Sequence, residues 1–162
     1  MIYAFLAHDH SRLDELLRCS VADPSVIDRA AYDEFRAGLL RHIAMEEKVL
    51  LPDARRHHGG EPLALGKQLR ADHAALAALL VPTPTREIIA AIGGVLAEHN
   101  PLEENEGGLY EICEQLAGAE ADALLARVKA VPEVRAARHF DGARAHESIA
   151  NLLRARAAVR SG

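Results

Sequence analysis

Two short patterns each occur twice in this chain, and both set histidine or glutamate where a helix would bury leucine. Leu6, His10, Leu13 and Leu17 have the spacing of Leu69, His73, Leu76 and Leu80, and Asp9 before His10 matches Asp72 before His73. Phe35, Leu39, His42 and Glu46 return as Ile92, Leu96, His99 and Glu103. Intervals of three and four residues put every member of a set on one side of a helix, the side that packs inward. Four histidines and two glutamates are therefore expected to meet in one core. Uncompensated, each unpaired neutral polar group there costs about 2–7 kcal/mol, and a carboxylate costs more. A bound metal removes that penalty.

A chain of 162 residues fits one domain and can bury a core without disulfide staples. Alanine and leucine dominate, tryptophan is absent and strand-like alternation is lacking, so the fold class is all-α. The opening Met-Ile-Tyr-Ala-Phe-Leu-Ala is too short and insufficiently basic for a signal peptide, and no apolar run approaches a membrane span. A cytoplasmic protein is expected, with Cys19 and Cys113 as reduced packing residues rather than a bridge. The net charge of −5 argues against general nucleic-acid binding. The tail from Arg127 to Arg160 is locally basic and Glu98 to Asp122 acidic, which a solvated face or contact between the two explains.

Four long helices are expected. The first runs from about Tyr3 to Arg18, before the Asp23-Pro24 turn; the second starts at a Ser25 cap and reaches Arg55 to His58, where Gly59-Gly60 stops it. Glu61-Pro62 opens the third, which lasts to Leu80; after Pro82-Thr83-Pro84, Thr85 caps the fourth, which continues towards Leu116 with a disturbance at Gly107-Gly108. Short connections make neighbours antiparallel, so residues 1–117 are expected as an up-down-up-down four-helix bundle. Residues 118–162 form a helical extension, with helices over Ala119 to Ala130 and Ala143 to Val159, packing on the bundle or at a homodimer interface.

His42 and Glu46 lie one turn apart, as do His99 and Glu103, so each pair can present a nitrogen and an oxygen to a common point, and His10 and His73 add one nitrogen each. Imidazole with carboxylate suits iron, zinc or manganese, and the scarcity of nearby cysteine disfavours a thiolate site. Six such ligands are too many for one tetrahedral zinc but suit two ions bridged by both carboxylates. The competing reading is a polar core layer in which these groups satisfy each other without metal.

His10, His42-x3-Glu46, His73 and His99-x3-Glu103, together with Asp9-His10, HIAMEEKVLLP from His42 and HNPLEENEGGLY from His99, resemble the hemerythrin-like family, or HHE cation-binding domains. The resemblance covers about residues 1–117. It implies a non-haem di-iron site, two iron ions with an oxo or hydroxo bridge, in which His10, His42, His73 and His99 are terminal ligands and Glu46 and Glu103 bridge. Oxygen-carrying hemerythrins have a further histidine where this chain has Ala77, and an aspartate where it offers Glu103 and Glu104. The pattern is closer to the four-histidine, two-glutamate sites of bacterial iron-centre repair proteins and of the iron-sensing domain of an F-box ubiquitin ligase. One fewer histidine leaves coordination open to O2, peroxide or nitric oxide.

Pro101, between His99 and Glu103, predicts a kink or π-bulge that re-aims Glu103 or puts Glu104 in its place. Glu47 and Glu104 otherwise read as acids that hold a ligand from outside or face solvent, Glu47 favouring solvent, Tyr110 as core filling with a bound oxygen species as its alternative partner, and Phe5 and Phe35 as packing. His8, His57, His58, His139 and His146 are expected at the surface. The expected function is binding iron and sensing or reacting with O2, peroxide or nitric oxide, without nucleic-acid or membrane partners. Its rivals are an enzyme consuming peroxide or nitric oxide at the same centre, a metal-dependent regulatory or iron-centre repair module, and a metal-free scaffold. Hydrolysis is disfavoured, since His-Glu-x-x-His, a nucleophile elbow and a phosphate loop are all missing.

Overall fold

A computed structural model describes all 162 residues, and it is helical throughout, with no strand. Helix α1 spans Ile2–Ser20 and buries Leu6, Leu13 and Leu17, the apolar seam that spacing marks out, together with Ile2. Asp28, not Ser25, caps α2 (Arg29–Met45): its carboxylate accepts the Ala31 N–H at 3.0 Å. Ser25 is drawn back into the preceding turn, where both its N–H and its hydroxyl donate to Asp23, at 2.8 and 2.7 Å.

The second rod continues without a break through a π turn over Glu46–Leu50 into α3 (Leu51–His57). The expected distortion thus lies here and not at Pro101. In a regular α-helix the ring of Pro52 would meet the carbonyl of Lys48 and offer it no donor, and a wider π turn relieves both problems. The rod ends at Gly59 and Gly60, both at positive φ (69° and 89°), where Gly60 N–H closes on the Arg55 carbonyl at 2.9 Å.

Helix α4 covers Gly66–Leu79, starting later than Glu61-Pro62 because Leu63 first turns inward and its carbonyl takes the Gly66 N–H at 3.0 Å. Thr85 caps α5 (Arg86–Glu104) as expected, accepting from Ile88 N–H at 3.2 Å, and α5 carries Pro101 in its last turn without interruption. The Gly107-Gly108 disturbance is a complete break: Asn105 is extended, Gly107 has φ 75°, and a separate α6 (Leu109–Ala117) begins. Beyond it lie α7 (Ala121–Lys129) and α8 (Ala143–Ser161).

Two apolar clusters fill this helical bundle, one holding Ile2, Leu6, Leu50, Ala54, Leu69 and Tyr110, the other Leu13, Leu17, Tyr32, Phe35, Leu76 and Ile92. The histidine and glutamate positions fall between them. Leu124 and Val128 of α7 complete the first cluster. Helix α8 packs along α4, with Ile149 and Leu153 against the second cluster. The crossing segment before it is held by buried Arg36, which donates to the carbonyls of Leu80 (2.7 Å) and Ala137 (2.6 Å), and by Phe140 N–H on the Val81 carbonyl at 3.0 Å. No helix is long and apolar enough to cross a membrane.

Candidate metal centre

All six residues singled out by spacing converge between the apolar clusters. Glu46 and Glu103 are fully buried, and His10, His42, His73 and His99 are between 1% and 5% exposed. Each glutamate splits its two oxygens. Glu46 Oε1 lies 3.1 Å from His42 Nε2 and Oε2 3.0 Å from His73 Nε2; Glu103 Oε1 lies 3.0 Å from His99 Nε2 and Oε2 3.3 Å from His10 Nε2. Two groups result, His10, His42, Glu46 and Glu103 on one side and Glu46, His73, His99 and Glu103 on the other, and within each the ligand atoms lie within 4.8 Å of one another.

Every imidazole is held from behind by a carboxylate at Nδ1. Asp9 accepts from His42 at 2.8 Å, Asp72 from His99 at 3.1 Å, Glu47 from His73 at 2.7 Å, and Glu104 from His10. The arrangement repeats between the two halves: Asp9 with His42 corresponds to Asp72 with His99, and His10 with Glu104 to His73 with Glu47. An ionised carboxylate only accepts, so each Nδ1 carries the proton and turns its Nε2 lone pair inward. The interior is then a cage of acceptors: four imidazole nitrogens and four carboxylate oxygens around one hydroxyl, Tyr110. That hydroxyl donates to Glu46 Oε1 at 2.7 Å and lies 3.0 Å from Glu103 Oε2 and 3.1 Å from both His10 Nε2 and His42 Nε2.

One hydroxyl proton cannot satisfy eight acceptors. Glu46 Oε2, Glu103 Oε1 and His73 Nε2 are buried with no hydrogen-bond partner, since the close approach of His73 to Glu46 is out of line for one. The donor set, imidazole nitrogens and carboxylate oxygens with lone pairs converging, fits hard to borderline divalent cations. Without metal, protons must take their place. Burial lowers the pKa of His42, but the Glu46 charge and the Asp9 hydrogen bond more than reverse this, to about 10. For His73 and His99 burial is likewise outweighed, by the neighbouring Glu103, Glu46 and Glu47 carboxylates and by the Glu103 charge respectively, giving about 11 and about 9. Burial and the Glu103 charge push Glu46 up, yet His42 holds it at about 2, and Glu103 is held well below the usual carboxylate range against burial, chiefly by His99. Burial and the two glutamate charges push the Tyr110 hydroxyl well above its ordinary pKa, so it stays protonated.

A family model, the hemerythrin HHE cation-binding domain, matches residues 1–108. The chain belongs to that family. Searches of curated proteins and of solved structures return no match. Within this hemerythrin-type core two sequence expectations change. Tyr110, expected as core filling, stands at the centre of the site; it comes from α6, which folds back after the Asn105–Gly108 break rather than extending α5. Glu47, expected in solvent, accepts from His73. Glu103 keeps the inward position and Glu104 stands behind His10, so Pro101 does not exchange them. His8 and His146 are exposed, and His139 donates to the Pro82 carbonyl at 2.9 Å, away from the cage. The two thiols are free, and burial pushes Cys113 up to about 12, which leaves it unreactive.

Proposed function

We propose that this chain is a non-haem di-iron protein that binds two iron ions and senses or reacts with O2, peroxide or nitric oxide. In this reading His10 and His42 serve one ion, His73 and His99 the other, and Glu46 and Glu103 bridge them. The observation that carries it is the division of each glutamate's oxygens between the two histidine pairs, in a cage that holds eight inward acceptors and one donor. Iron bound there would supply reversible one-electron chemistry and affinity for small oxygen and nitrogen ligands. The protein fixes ligand number through the outer carboxylates and keeps the surroundings dry through the two apolar clusters.

The four rods of this bundle are read as up-down-up-down. Support comes from how apolar residues sort: the beginnings of α1 and α4 (Leu6, Leu69) share a cluster with the far end of the second rod (Leu50, Ala54), while their ends (Leu17, Leu79) join the beginnings of α2 and α5 (Phe35, Ile89). A cleft of about 380 Å³ lined by Asp14, Leu96, Asn100, Pro101 and Glu104 reaches the carboxylate behind His10 from solvent.

The test is metal analysis and an optical spectrum of protein prepared without air and then exposed to it. Two irons per chain and near-ultraviolet bands on oxidation are expected; a single zinc would overturn the reading. A second reading, turnover of peroxide or nitric oxide, is favoured by the Tyr110 hydroxyl, a protonated donor already at the centre. Repeated consumption of either by iron-loaded protein would establish it, and one stoichiometric oxidation would refute it.

A further inference from the structure

Asp9 and Asp72 do the same work in the two halves of the site, but they are held by different parts of the chain. Asp9 Oδ2 takes the His42 Nδ1–H, and its Oδ1 is gripped from the same helix by Arg12, whose Nε and Nη2 both lie at 2.9 Å. The residue standing to Asp72 as Arg12 stands to Asp9 is Ala75, which has no charge to offer. The C-terminal helix makes up the difference. Arg156 Nε donates to Asp72 Oδ1 at 2.7 Å and Arg160 Nη2 to Asp72 Oδ2 at 3.1 Å, the same oxygen that accepts His99 Nδ1–H. Both arginines also reach Glu98, one residue before His99: Arg156 Nη2 lies 2.7 Å from its carboxylate, and Arg160 Nη2 donates to its carbonyl at 3.2 Å.

Asp72 is fully buried, and apart from these arginines and His99 its only polar partner is Gln68, at 2.9 Å. A carboxylate so enclosed needs positive charge beside it, and here that charge arrives from a helix that begins 35 residues past the end of the hemerythrin match. We infer that Arg156 and Arg160 are positioning residues for the His73–His99 half of the site, so that docking of α8 and occupancy of that half by a divalent cation strengthen each other. The His10–His42 half is gripped by Arg12 within α1, and Asp9 takes no hydrogen bond from α8.

This inference rests on the metal reading above and adds to it an inequality between the two positions. With α8 docked, Asp72 presents a fixed oxygen to His99, which keeps its Nε2 aimed inward. With α8 displaced, only Gln68 orients Asp72. Loss of such an outer partner typically weakens metal binding by about 10- to 100-fold, and by reciprocity a cation in that position must hold α8 down by the same factor.

Anaerobic Fe(II) titration of the full chain, wild type against Arg156→Gln/Arg160→Gln, tests this together with amide exchange over residues 143–161. The wild type is expected to take two ions. The double variant should bind one as before and the other about 10- to 100-fold more weakly, while Arg12→Gln should weaken the opposite ion. Arg154→Gln, which removes an α8 charge that bonds only Asn151, should leave both unchanged. In the unaltered chain, amide exchange across α8 should slow when the second ion is added, a readout that needs no variant to fold. Equal weakening of both ions by the double variant, or α8 exchange indifferent to iron, overturns the inference while leaving the metal site intact. A wild type that takes no iron overturns both.

Discussion

At the residue scale the site is a set of paired duties: an imidazole aimed inward and a carboxylate that holds it. The inward members are legible from the repeat because each stands where a seam leucine is due. The holding members are not, because Asp9 serves His42 and Glu47 serves His73 across a helix interface that spacing does not describe. Glu47→Ala and Glu104→Ala remove equivalent partners, so each should weaken metal binding by about 10- to 100-fold without abolishing it. Isothermal titration of both variants checks this, and a large effect at only one would break the symmetry. Tyr110→Phe deletes the hydroxyl but keeps the ring. It should leave ion stoichiometry at the wild-type value and alter the rate at which air or peroxide oxidises bound iron, followed by stopped-flow absorbance. The interval of seven residues from Glu103 leaves Tyr110 open to either core filling or the site, and the chain reversal after Asn105 that settles it is visible only in the structure.

At the element scale the lengths and caps followed from local chemistry at Thr85 and at Gly59-Gly60, whereas the π turn and the α5–α6 break followed from tertiary demands. The break is built tightly. A Cβ on Gly108 would lie 2.7 Å from the backbone carbonyl oxygens of both Glu103 and Asn105, atoms that cannot swing aside. Gly108→Ala should therefore cost about 1–3 kcal/mol by denaturant unfolding and lower metal affinity, because it displaces the backbone that carries Glu103. Gly94, exposed and in mid-α5, is the contrasting case, since a Cβ there would meet nothing within 4 Å. Gly94→Ala should raise stability by about 0.4–1 kcal/mol through helix propensity alone, with metal affinity unaltered.

At the scale of the whole molecule, protonation and metal loading oppose each other. His42, His73 and His99 have folded-state pKa values of about 10, 11 and 9, above the ordinary 6.5. In the metal-free protein their contribution to stability is fully present below pH 6.5 and is lost as pH rises through 9 to 11. Glu46, held at about 2 against an ordinary 4.5, contributes above 4.5, and that contribution is lost as pH falls towards 2. Cations must displace the imidazole protons, so the gain in Tm on loading should widen as pH rises from about 6 to about 9. Calorimetry of both forms across that range decides it; a constant gap would mean that protons and metal do not compete. The all-helical class and the convergence of the six side chains were readable from the duplicated patterns, and charge alone allowed the basic tail to meet Glu98, while the clamp of α8 on Asp72 was not readable, since nothing in the spacing of Arg156 and Arg160 points to α4. The division of the glutamates has one more consequence. Each of the two groups that could hold a cation takes two imidazoles from its own hairpin and one carboxylate from each, so neither hairpin alone possesses a finished group. A solitary hairpin would be complete only against a second copy of itself, and the chain behaves as such a twofold pair joined in tandem by a covalent link.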